Sequence, residues 1–347
     1  MIKESNRVPG IDFARVICAI GIICYHFAGR TDSAIRYWSS TANESWGGML
    51  VHAFFAMSGA VLFLNHPTVD NCKTFYYKRW KAIFPSFYLC YVYFFIMILL
   101  DNIDAFSNRN PALILYSLLG MDGYFYYMKP NFYIVGEWFL GAIILLYILY
   151  PFISKVKSKL PWLLPIVLLL AFVFVNFTDF FQISINRNLI TCLLSFYLGI
   201  LAAQYRQYTF NNTIWGIVAI ALSVLLYFLP IPFIKTIAPV QGVLFFISCT
   251  FIGECITKFG VIKRFIQSVS AVSFEIFLFQ NRIIGDVIKS VNPRGLGKSL
   301  IILIMIICLT YVCAVVLKIV RSAMVNSNLY MRIEKRFFDR QTKHELR

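Results

Sequence analysis

Apolar runs of about twenty residues recur along the whole of this 347-residue chain, and nothing else constrains its fold as strongly. Twenty residues of α-helix rise about 30 Å, the thickness of a bilayer's hydrocarbon core. No water is available there for backbone N–H and C=O groups, so such runs must be helices packed together. Composition agrees: 59% of residues are hydrophobic and 14% charged, against roughly 25% charged in ordinary globular chains. The expected fold class is an all-α, polytopic transmembrane bundle.

Apolar length and polar breaks place about ten spans, at 12–28, 47–64, 83–100, 134–151, 161–177, 189–205, 214–229, 237–256, 268–288 and 299–320. The stretch 111–120 is too short to cross and reads as re-entrant or interfacial. With no Pro/Gly/Ser-rich linker and no internal repeat, residues 1–325 form one membrane-embedded domain, followed by a basic tail at 326–347.

The net charge of +16 is distributed as membrane topology would distribute it. Cytoplasmic loops collect Lys and Arg. One set of alternate loops holds Lys3, Arg7, Lys73, Lys78, Arg79, Lys81, the lysines at 155, 157 and 159, Arg206, Lys258, Lys263 and Arg264, and the tail adds six more cations. The other set is thinner, with Arg30, Arg36, Arg109, Lys129, Arg187 and Lys235 among its members. Both termini are therefore expected in the cytoplasm. Nucleic acid is not an expected partner, since no basic–aromatic platform for single strands is present. The first span follows a short basic leader without a small-residue cleavage site and should be retained. Most of the nine cysteines fall within spans, none forms CxxC, and none has a histidine at ligand spacing. Neither disulfide framework nor metal site is expected. The tail segment LYMRIEKRFF reads as an interfacial helix on the anionic inner leaflet.

Within the first span, Arg15 and His26 lie eleven residues apart. Eleven helical residues turn about 1100° and rise roughly 16 Å, so both side chains share one face at different depths. Ionisable residues in lipid are costly, and two on one face suggest a polar path through the bundle. Four further stretches stand out: FFAMSG at 54–59, YKRWKAIFPSF at 77–87, GEWFLGAIILLYILYP at 136–151 and SFEIFLFQNRII at 273–284.

In this order and spacing, the set resembles the acyltransferase 3 family of integral membrane acyltransferases. The likeness runs from Gly10 to about Val320. It implies an O-acetyltransferase of the branch that modifies bacterial surface polysaccharides, working in the plasma membrane. The implied donor is acetyl-CoA, a substrate and not a resident cofactor. The implied acceptor is a glycan or lipid-linked saccharide, and the enzyme fits either a monomer or a homo-oligomer. Three positions depart from the family pattern: Ala82 stands where many members carry arginine, Gln280 and Asn281 where one or two histidines are common, and His52 where proline or an acid is more usual.

Acyl transfer to a hydroxyl needs a base, an oxyanion stabiliser and a donor site. His26 is the expected base, because imidazole titrates at about 6.5 and this one lies towards the outer side. Arg15, at the inner end, suits the phosphates or pantetheine of acyl-CoA. Arg79, with Lys78 and Lys81, offers cytoplasmic charge to the CoA phosphates. Ser58 lacks an identifiable base, and FFxxSG reads better as close helix packing. Glu137 could orient His26 or bind acceptor beside Trp138, or the two could be a simple interfacial pair. Glu275, Arg282 and Asp286, spaced by seven and four, could line the channel, or Arg282 and Asp286 could only neutralise each other. Gln280 can replace a histidine's hydrogen bonding but not its proton transfer. A transporter or flippase of a lipid-linked saccharide would use aligned polar groups equally well, though no inverted repeat or paired broken spans support it. The missing histidines keep a non-catalytic member in view.

Overall fold

The computed structural model describes residues 7–31, 39–101, 109–332 and 334–335. Lys3, Arg36 and the tail cations from Arg336 onward lie outside them. Among the described residues the α-helices run in order: α1 (Pro9–Ala28), α2 (Trp46–Asn65), α3 (Cys72–Asp101), α4 (Ile114–Leu118), α5 (Asp122–Phe125), α6 (Glu137–Lys159), α7 (Leu163–Phe177), α8 (Leu189–Gln204), α9 (Arg206–Thr209), α10 (Thr213–Phe228), α11 (Ala238–Ile256), α12 (Gly260–Ser270), α13 (Ser273–Val291) and α14 (Leu296–Val325), with residues 328–332 also helical. No strand occurs among the described residues; Ser40 and Ser45 form one isolated bridge.

Each of the ten expected spans coincides with one of these helices. Six (α1, α2, α3, α6, α11 and α14) are long and apolar enough to cross a bilayer. Three apolar ones, α7, α8 and α10, have only 15 or 16 residues, roughly 24 Å. The tenth, α13, has four charged residues among its 19. The stretch 111–120 is broken into a 3-10 turn at Pro111–Leu113 and the five-residue α4.

Local chemistry sets the ends. Pro9 opens α1, where its missing N–H is no loss. The Ser45 and Asn188 side chains cap α2 and α8 by accepting from Gly48 and Ile190 N–H. Within the bundle, α2 packs on α8 by removing side chains. A Cβ on Gly59 would lie 2.0 Å from the Phe196 carbonyl oxygen, and one on Gly199 would lie 1.9 Å from that of Ala56. Apolar packing gains little between helices in lipid, so backbone-to-backbone approach through small residues supplies much of the cohesion. The packing reading of FFxxSG thus holds for Gly59. Large aliphatic side chains face outward instead, as Leu170 on α7, Val224 on α10 and Ile301 on α14 do.

Long-range hydrogen bonds orient the helices. On one side, Gly10 N–H donates to Glu254 at the end of α11 (2.8 Å), Ser270 Oγ to Asp12 (2.7 Å) and Arg321 near the end of α14 to the Lys81 carbonyl (3.3 Å). On the opposite side, Arg30 reaches Asn281, and Lys235 pairs with Asp179 (2.6 Å). The start of α1 and the end of α14 therefore share a side. The tail bends back on α3 there: Glu334 pairs with Lys81 at 2.9 Å, and Tyr330 lies under the same ammonium.

Candidate functional site

The α1 face that faces the interior begins with a clamped arginine. Asp12, 5% exposed, accepts from Arg7 Nε (2.8 Å), Ser270 Oγ (2.7 Å) and Arg15 (3.3 Å), and Arg15 also reaches Ser270 Oγ at 3.0 Å. Two anchors hold one edge of the guanidinium, and the rest of the side chain borders a cavity. That cavity encloses about 1080 Å³ of empty space, partly open, and Arg15, His26, Ser58, Arg79, Glu137, Trp138 and Gln280 all border it. Residues from α1, α2, α3, α6 and α13, far apart in sequence, thus meet around one space.

Arg79 enters from α3 between two rings, its guanidinium carbon 5.9 Å from the Phe75 centroid and 6.0 Å from that of Tyr147. Such bracketing orients the cation while leaving its edge donors for an anion. Its Nε is buried and has no hydrogen-bond partner among the described residues. Gln280, 1% exposed, presents an Oε1 in the same condition.

A second cavity of about 1330 Å³, on the side of Arg30, shares Ile22, His26, Val51, Glu137 and Trp138 with the first. His26 and Glu137 therefore stand where the two spaces meet. Of the charged groups, Glu137 and Arg30 lie close enough to His26 to act on it electrostatically. Glu137 is held by Asn281, whose Nδ2 donates to its Oε1. Asn281 is held in turn by Arg30, which donates to its side-chain oxygen and, at 2.7 Å, to its carbonyl. This Arg30–Asn281–Glu137 chain links the end of α1, the middle of α13 and the start of α6.

The backbone presenting Glu137 is unusual. Gly136 has φ +96° and Glu137 itself +44°, a left-handed conformation that costs a non-glycine residue on the order of 1 kcal/mol or more. Gly123 of α5 presses on this turn; a Cβ there would lie 2.7 Å from the Glu137 carbonyl. The turn starts α6 at the residue that shares the cavity wall with His26.

Other candidates lie elsewhere. Lys78 is exposed and borders neither cavity, while Lys81 is engaged by Glu334. Glu275, 2% exposed, accepts from Ser86 Oγ at 2.8 Å and pairs with Arg321 at 3.5 Å, so it ties α13 to α3 and α14 without facing the channel. Arg282 pairs with Asp286 at 3.3 Å, one turn on, as the charge-neutralising alternative has it. Glu275 is buried and Asp286 exposed although eleven residues bring them within about 20° on the helix; they differ in depth, standing roughly 16 Å apart along α13. Ser58 borders the first cavity, the inner of the two, with no hydrogen-bonding base among the described residues. Sequence reasoning missed Asp12, Arg30 and Asn281 as site residues. Asp12 carried a signal, an acid one turn from Arg15 in an apolar helix, and Asn281 stood out only as a departure from the family pattern; Arg30 carried none, being brought to Asn281 only by packing.

A family model described as an acyltransferase domain matches residues 8–319, nearly the whole chain. No curated protein and no solved structure matches it.

Proposed function

This chain belongs to the acyltransferase 3 family, and on that premise we propose that it is an O-acetyltransferase working across the plasma membrane. In this reading acetyl-CoA binds from the cytoplasm, the side shared by the start of α1 and the end of α14, and a glycan or lipid-linked saccharide accepts from outside. All ten helices that match the expected spans cross in this reading, the six long apolar ones together with the shorter α7, α8 and α10 and the charged α13. One observation carries the reading: His26 and Glu137 stand on the wall common to the two cavities, with Arg15 and Arg79 bordering the inner one only.

Arg79 and Arg15 hold the donor's phosphates and upper pantetheine, each already oriented by its protein partners and needing little reorganisation. The pantetheine arm runs along the α1 face and brings the thioester to His26. An imidazole nitrogen of His26 takes the proton from the acceptor hydroxyl as its oxygen bonds to the thioester carbon. Glu137 stabilises the resulting imidazolium and holds the ring in position. Gln280 offers amide N–H donors to the oxyanion, a task that needs no proton transfer. Collapse breaks the C–S bond, and the CoA sulfur leaves with the proton that His26 returns. One acetyl ester forms for one thioester cleaved.

Purified protein in liposomes, given acetyl-CoA and a cell-surface glycan fraction, tests this. Wild type should release CoA and acetylate glycan, whereas His26→Ala should bind acetyl-CoA normally and transfer nothing. Full transfer by the variant would remove His26 as base. Saccharide crossing the vesicle wall without acetylation would refute acyl transfer in favour of transport.

A further inference from the structure

The outer cavity differs from the inner one in its chemistry. Its rim brings together Arg30 and Arg187 with the polar side chains of Ser39, Ser45, Ser184 and Asn186. Among the described residues its one carboxylate is Glu137, whose Oε1 accepts from Asn281 Nδ2. Glu44 stands behind this rim, spending its oxygens on Thr236 and on Asn186 Nδ2 (2.8 Å). Burial also pushes its carboxyl pKa up, towards the neutral form. Among the described residues both of these acids are thus engaged, while the cations are not equally so. Arg30 is committed to Asn281. Arg187 forms no ion pair among the described residues; its guanidinium carbon lies 5.6 Å from the Trp138 ring centroid.

That cation–π contact is the informative detail. The indole steadies the guanidinium, and its N–H donors have no hydrogen-bond partner among the described residues, next to the wall that Trp138 and His26 share. A planar donor edge of this kind matches the two oxygens of a carboxylate or phosphate. We propose that the outer cavity is an acceptor site selective for an anionic saccharide, with Arg187 reading its negative charge. The sugar hydroxyls meet Ser45, Ser184 and Asn186, and one of them faces His26. The anion has two sources with the same chemistry: an acidic sugar residue, or the phosphate that joins a saccharide to a lipid carrier. The proposal rests on the acyl-transfer reading for what happens to the bound sugar, but not for binding itself.

Binding to the full chain in nanodiscs is therefore measured directly, by tryptophan fluorescence and thermal shift, with methyl glucuronide, methyl glucoside and glucose 1-phosphate. At least one anionic probe should bind about tenfold more tightly than the glucoside. Arg187→Gln should bring that ratio to within about twofold, and Arg187→Lys should retain part of it. Preference for the glucuronide assigns the charge to the sugar; preference for glucose 1-phosphate assigns it to the carrier linkage. Equal affinity for all three probes, no binding of any up to saturation, or an unchanged ratio in Arg187→Gln overturns the proposal. Acetyl-CoA binding and CoA release are read on the same samples. Transfer to neutral glycans alone would defeat the anion preference and leave acyl transfer intact, whereas anion binding without CoA release would do the reverse.

Discussion

Asn281→Ala tests the junction of the two cavities most sharply. Asn281 is neither base nor donor ligand in the proposed reaction; it is a positioning residue between Arg30 and Glu137. Alanine keeps the backbone carbonyl that accepts from Arg30 at 2.7 Å and deletes the side-chain amide on both sides. Hydrogen bonds to charged groups contribute about 1.5–3 kcal/mol each. Arg30 is exposed, so its side-chain bond deserves little weight after solvent screening. The bond to Glu137 remains, worth about 1.5 kcal/mol at the low end. If Glu137 acts on the imidazolium that forms during transfer, this loss falls on the transition state. The kcat should then drop about tenfold, while KM for acetyl-CoA stays put, because Arg15 and Arg79 are untouched. Asn281→Asp makes a sharper variant of the same size, placing a second carboxylate against Glu137. Such a pair holds a proton between its members near neutrality, so the activity profile should move to higher pH. Asn281→His, which restores a ring N–H donor, should recover part of the rate. The assay is initial CoA release with saturating glycan, run from acid to alkaline pH. Wild-type kcat in Asn281→Ala at an unchanged thermal midpoint would refute the argument, as would coincident pH profiles for the Ala and Asp variants.

Other consequences follow from the same geometry. Arg79→Ala should weaken acetyl-CoA binding about tenfold or more and acceptor binding hardly at all; titration of each ligand checks it, and the reverse ranking defeats the donor assignment. Gly59→Ala forces a Cβ against a carbonyl that cannot move without displacing α8, so overpacking should cost at least 1–3 kcal/mol, seen as a lower midpoint in detergent; an unchanged midpoint would contradict the packing. Asp122, 1% exposed and outside the long helices, has its pKa pushed up by burial from an ordinary 3.8 to about 7. The fold thus favours its protonated form. That stabilisation is complete below about pH 4 and is lost as pH rises through 7, so Asp122→Asn should flatten the midpoint's dependence on pH in that window. Equal slopes for variant and wild type would exclude Asp122 as the cause.

The departures from the family pattern find different fates in the structure. Where many members have an arginine, Ala82 is exposed, and nearby Arg321 from α14 takes the Lys81 carbonyl and Glu275. At the ninth-span motif, Gln280 borders the inner cavity, while Asn281 holds Glu137. Adjacent residues on a helix point about 100° apart, which lets one serve the cavity and the other the strut. His52, unusual in its place, is fully buried and hydrogen-bonded through Nδ1 to Ser195 Oγ at 2.7 Å, a packing contact between α2 and α8.

What the amino-acid order determined by itself is what depends on near neighbours. Helical rise and apolar run length marked ten helices, and helical turn put Arg15 and His26 on the face that borders one cavity. Motif spacing indicated the family. The tertiary structure decided which distant groups share a space. Lys81 is engaged by a tail more than 250 positions away, Glu275 is sealed between helices, and Arg30 and Glu137 meet across Asn281. Periodicity gives the direction of a side chain from its own helix axis, but not the rotation and depth of the helix it faces. Those are set by contacts such as Gly59 on Phe196, where two backbones close to a distance that no single span encodes.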